Sequence, residues 1–153
     1  MDKIEALIQK IEGSREAMEF SGPQSEESVA TLERALGVNL PPSYKQFLLR
    51  FGASGILPVG IWGIYGNDPL MPNEGCAFGE TTRLRQEFNL PERYVVVNHD
   101  GDYEVVDCLD TSKPGAGGEC PVISYELSSG HETKQNRSFA EYFEQYLVMW
   151  CDG

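Results

Sequence analysis

"LERALGVNLPPSYKQFLLRFG", from Leu32 to Gly52, packs a helix end, two prolines, an aromatic-rich helix and a closing glycine into one short stretch. Gly37 follows the apolar stripe of Val29, Leu32 and Leu36, so it reads as the left-handed residue that ends a helix. Val38 to Leu40 makes a brief crossing with two apolar plugs. Pro41 and Pro42 cannot sit inside a helix, but their fixed backbone dihedral suits the first turn of a new one. Tyr44, Phe47, Leu48 and Phe51 then recur at i, i+3, i+4 and i+7, and Gly52 stops the run. Two helices joined by a stiff elbow are expected, both facing one core. The stretch holds no nucleophile, base or ligand set, so it is scaffold.

Upstream, Ser25 is a natural N-cap for the first of these helices, with Glu26 and Glu27 at the positive end of its dipole. "EFSGPQS" separates it from an opening amphipathic helix marked by Ile4, Leu7, Ile8 and Ile11. Downstream the pattern turns to strands. "GILPVGIWGIYG" reads as a strand bent or bulged at Gly60 and Gly63. "TTRLRQEFNLP" predicts a short helix capped by Thr81 or Thr82. "YVVVNHDGDYEVVDCLD" is the clearest hairpin, turning between Asn98 and Asp102. On its second strand Tyr103, Val105, Asp107 and Leu109 share one face, and Glu104, Val106, Cys108 and Asp110 the other. After the loop "TSKPGAGGE", "CPVISYEL" predicts another strand. Ser138 and Glu141 form a capping box for a last helix with an aromatic stripe of Phe139, Tyr142, Phe143, Tyr146 and Trp150. Helices, then an antiparallel sheet, then a closing helix spell an α+β fold in a single domain over 1–153.

The 153 residues carry 24 acids against 12 bases, a net charge of −12. Such a chain repels phosphate backbones, so no nucleic acid is expected as a partner, whereas a basic protein is steered in. Acidity that merely keeps the protein soluble is the simpler account of the charge alone. Cys76, Cys108, Cys120 and Cys151 lack C-x-x-C spacing, which speaks against a zinc or redox motif and for reduced thiols. No signal-peptide core and no apolar run near the roughly 20 residues of a membrane span is visible, so no membrane partner and a soluble, cytoplasmic protein are expected.

The order and spacing of "IEALIQKIEG", "VATLERALGVNLPPSYKQFLLRFGASGI", "VVVNHDGDYEVVDCLDTSKPGAGGECPVISYEL" and "SFAEYFEQYL" resemble the SUKH superfamily, which includes SMI/KNR-type regulators of fungal cell-wall synthesis and many bacterial immunity proteins. C-L-D-T followed by E-C-P-V looks like the YobK-like antitoxin branch. The resemblance implies an α+β domain that binds and neutralises a cognate polymorphic toxin, often a nuclease, with no catalysis and no cofactor. Its toxin contacts vary from member to member, so the resemblance places no interface residues.

The residues themselves offer few reaction centres. His99 beside Asp100 is a candidate base or ligand, but a solvated turn histidine is the better reading, and His131 has no obvious partner. Cys108 and Cys120 flank the glycine loop and could approach across strands, although buried thiols behaving as small apolar groups fit better. Two histidines without a spaced ligand set speak against a structural metal site. "GAGG" lacks the following Lys-Ser/Thr of a phosphate loop. The acids Asp100, Asp102, Glu104, Asp107 and Asp110, with Glu119 after them, are either a solvated edge that blocks unwanted strand pairing or a surface that docks a cationic toxin. Trp62 and Tyr65 are core or pocket wall, or, if exposed, anchors of the same interface. The combined expectation is a non-enzymatic immunity protein. The alternatives are a regulatory interaction scaffold and a small ligand-binding or hydrolytic domain.

Overall fold

The computed structural model describes residues 9, 20–56, 59–72, 76–99 and 104–151. The expected opening helix over Ile4 to Ile11 lies outside them except for Gln9, which is helical and exposed. The elements run α1 (Glu26–Leu36), α2 (Pro42–Phe51), β1 (Ser54–Ile56), β2 (Val59–Ile61), α3 (Ala77–Phe88), β3 (Tyr94–His99), β4 (Val105–Asp110), β5 (Val122–Glu126), β6 (Glu132–Asn136) and α4 (Phe139–Cys151). Strands β3 to β6 form one antiparallel sheet in chain order, and β1 with β2 a separate antiparallel pair. This is the α+β architecture that the pattern predicts. The strand β6 was not anticipated, because "ETKQN" is polar throughout and has no apolar alternation to reveal it.

The elbow forms as its sequence dictates. Ser25 caps α1 by accepting the Ser28 N–H at 3.1 Å, and Gly37 closes it at φ 73°, donating to the carbonyls of Glu33 and Arg34. The Glu33 carboxylate then holds the turn, accepting the Leu40 N–H at 2.8 Å and pairing with Lys45 at 3.4 Å. Pro41 at the cap of α2 has no side-chain acceptor to offer. Instead the Glu119 carboxylate arrives from 76 residues away and accepts both the Ser43 N–H, at 3.1 Å, and the Ser43 hydroxyl, at 2.8 Å. A carboxylate here also complements the helix dipole. Glu119, one of the acids assigned above to a docking surface, is thereby engaged as a long-range helix cap. Glu119→Ala is expected to lower stability by about 1–2 kcal/mol, the usual cost of a lost cap, read as a drop in the urea midpoint without a change in slope. A neutral result would mean that the cap contributes nothing.

The sheet is covered on both faces. On one, Val95, Val97, Leu109 and Val122 pack against Leu32, Tyr44, Phe47, Leu48, Phe139 and Phe143 from the helices. Phe47 lies 5.5 Å from Phe139 and 5.2 Å from Phe143, both edge-on, the geometry aromatic quadrupoles favour. On the other face, Tyr94, Val96, Val106, Cys108, Ile123 and Tyr125 meet Trp62, Leu84 and Leu90. The alternation on β4 is as expected: Leu109 enters the first cluster, Val106 and Cys108 the second.

The outer edge of β3 is closed by two different devices. Thr81 Oγ1 accepts the Val96 N–H at 3.0 Å, and the Trp62 N–H donates to the Val97 carbonyl at 2.8 Å, beside a register shift between Val96 and Asn98. This corrects the expected role of Thr81 and Thr82. Helix α3 begins at Ala77 with Cys76 at its cap and no side-chain cap bond. Thr81 sits inside the helix with its hydroxyl turned to a buried strand donor that has no other acceptor there, while Thr82 donates back to the Phe78 carbonyl at 2.7 Å.

Gly63 is neither a bulge nor a bend. It crosses Gly52 backbone against backbone, and the Ile64 N–H donates to the Gly52 carbonyl at 3.0 Å. A Cβ built on Gly63 would stand 1.9 Å from that carbonyl oxygen and 2.8 Å from Leu48 Cδ2. On the other side of the crossing, Ser21 donates its N–H to the Ala53 carbonyl and its hydroxyl to the Ile64 carbonyl, 2.7 Å away. The buried Tyr44 hydroxyl donates to the Trp62 carbonyl at 2.6 Å. Helix α2, the 62–64 segment and the 20–22 segment are thus laced into one unit.

Candidate functional surface

The antiparallel order brings two turns to one end of the sheet, the β3–β4 turn and the β5–β6 turn. In register, Val105 faces Glu126 and His99 faces Val106. The Leu127 N–H donates to the Glu104 carbonyl at 2.8 Å, which ties the start of the β5–β6 turn to the residue just before β4. The β5–β6 turn is braced internally: the Ser129 hydroxyl donates to Glu126 Oε1 and accepts the His131 N–H. From Tyr94 to Thr133 the chain carries eight acids and one base, Lys113.

The structure sorts those acids by burial. Glu104 is exposed and Glu126 half-exposed at this end, while Asp100 and Asp102, in the turn between β3 and β4, lie outside the described residues. Asp107 is half-buried. It accepts the Tyr142 hydroxyl at 2.8 Å and the Ser124 hydroxyl at 3.1 Å, and Asn98 donates to the Tyr142 oxygen at 3.4 Å. This ladder of polar contacts pins α4 to the sheet. Asp110 is fully buried and belongs to the opposite end, where its carboxylate accepts from Ser112 and stands within 3.8 Å of Arg93 and Lys113. It is removed from the set of exposed acids, as Glu119 is by its capping role. Period-two alternation separates the faces of a strand, but it cannot tell the solvated end of a hairpin from its buried end.

The aromatic pair divides as well. Trp62 is 8% exposed, with its ring in the second core cluster, so the core reading holds and the surface-anchor reading does not. Tyr65 is half-buried in the 65–68 turn. That turn is clamped to the start of α1 by Asn67, whose side-chain oxygen accepts the Ser25 N–H at 2.7 Å and whose N–H donates to Gln24 at 2.6 Å. Asn67 adopts φ 55°, a left-handed conformation that asparagine tolerates well. No sequence signal marked it beyond a G-N-D turn.

Of the candidate reaction centres, Asp100 beside His99 lies outside the described residues. His99 ends β3, and His131 is exposed in the β5–β6 turn. No group of three or more His, Cys, Asp or Glu that could hold a metal ion occurs among the described residues. Cys108 pairs in register with Ile123, which leaves Cys120 three residues along the ladder, about 10 Å away and beyond disulfide reach. Both are buried free thiols. Burial pushes the Cys120 thiol up to about 11, helped by the charges of Glu119 and Asp110, and burial likewise raises Cys108. Only the thiolate reacts, so iodoacetamide at pH 8 is expected to label Cys120 about a hundredfold more slowly in the folded protein than in denaturant. Peptide mapping that found equal rates would contradict this burial.

A family model described as SMI1-KNR4 cell-wall, of the SUKH group, matches residues 4–149. The chain belongs to this SUKH, SMI1-KNR4 family. A solved structure described as a protein from Pseudomonas syringae pv. tomato superposes with a TM-score of 0.63 over 99% of this chain and 98% of that one. At 14% identity it is similar in fold alone. No helix among the described residues is long and apolar enough to cross a membrane.

Proposed function

We propose that this chain is an immunity protein of the YobK-like kind, which binds a cognate basic toxin and neutralises it by occlusion, without catalysis. The observation that carries the reading is the charge of the 94–133 segment, eight acids to one base, five of them outside the internal contacts of Asp107, Asp110 and Glu119. Membership of the SUKH family supports it. Glu104 is exposed at this end of the sheet and Glu126 half-exposed, although Glu126 also accepts the Ser129 hydroxyl. With Asp100 and Asp102, which lie outside the described residues, these are the acids we assign to the partner, since Asp107, Asp110 and Glu119 serve internal contacts. A nuclease that binds nucleic acid through a cationic groove has the matching charge, and a protein seated there excludes the substrate. Because the β5–β6 turn is braced before binding, little ordering entropy at that turn opposes association.

The family description also supports a second reading, a regulatory scaffold related to cell-wall synthesis with endogenous partners. One experiment separates the two. Co-expression of the tagged chain with the product of the adjacent reading frame should recover a stoichiometric complex and protect cells from that product. Recovery of cell-wall factors, with no protection, would overturn the immunity reading. Catalytic turnover by the purified chain would overturn both.

A further inference from the structure

We draw no further inference here: the strongest candidate, the pocket of about 630 Å³ between the C-terminal turn of α1 and the Arg93 end of the sheet, carries nothing because its charges largely cancel within its own surroundings, Glu33 against Lys45 and Arg93 against Asp110 and Glu132, leaving Arg34 and Glu92 as one charge of each sign that selects no class of ligand.

Discussion

Gly63→Ala is expected to cost about 3 kcal/mol or more, a large part of the roughly 5–15 kcal/mol that an ordinary domain has. The cause is space and not conformation. The added methyl would overlap the Gly52 carbonyl oxygen, a backbone atom already committed to the Ile64 N–H, and it would press on Leu48 from the other side. The carbonyl is backbone and cannot swing away, and the Leu48 side chain is fully buried. For a domain of this size the loss corresponds to a fall in Tm of roughly 6–12 °C. Gly37→Ala supplies the contrast. Gly37 has φ 73° and nothing within 4 Å of an added Cβ, so only the left-handed backbone penalty of about 1–2 kcal/mol applies. If thermal denaturation gave the two variants equal losses, the tight crossing would not be what holds these segments together.

The second large effect concerns association. Replacing Asp100, Asp102 and Glu104 together by Lys changes the charge at one end of the sheet by six units. Steering by a complementary field raises association rates by about 10–1,000-fold, so the triple variant should bind its toxin at least tenfold more slowly at low salt. The deficit should shrink as ionic strength rises and the Debye length falls towards about 3 Å. Stopped-flow mixing at two salt concentrations reads both features. Lys at Glu126 should add to the loss, because that residue shares the same end of the sheet. Unchanged rates at both salt levels would remove these acids from the encounter surface. Circular dichroism and the urea midpoint of the variant, measured alongside, separate slower encounter from loss of fold.

The helical half of the fold was legible because its signals are local. Ser25, Gly37, the Pro41–Pro42 pair and the i, i+3, i+4 apolar stripes each act within a turn or two of chain, and all did what their chemistry requires. In the last helix, Ser138 caps as expected, accepting the Glu141 N–H at 3.2 Å. Glu141, however, reaches the Arg137 N–H at 2.9 Å, one residue before the cap. That bond is the leading reason its carboxyl titrates below the ordinary range. The hairpin was legible for a related reason, that Asp-Gly between two β-branched runs is a short-range signal.

What the sequence hid was long-range. Nothing near Glu119 announces that it will cap a helix 76 residues earlier, and nothing near Thr81 says its hydroxyl will meet a strand. The candidate surface suffered most from this. Strand alternation splits the five acids within eleven residues between two faces, but it does not show that burial withdraws Asp110, that side-chain bonds occupy Asp107, and that only Glu104 of the described three faces solvent. Charge composition is readable from a string of letters, whereas the side of the molecule on which a charge ends is set by packing.

The link between Glu119 and Ser43 also bears on the order in which the molecule is made. During synthesis α2 emerges long before residue 119, with a proline at its cap that can shield none of its first donors. Its opening turn must therefore remain frayed or hydrated until the later half of the chain has been translated and β4 and β5 have closed the loop between them. The cap of this helix is thus supplied by the later half of the chain, and the two halves share its stability.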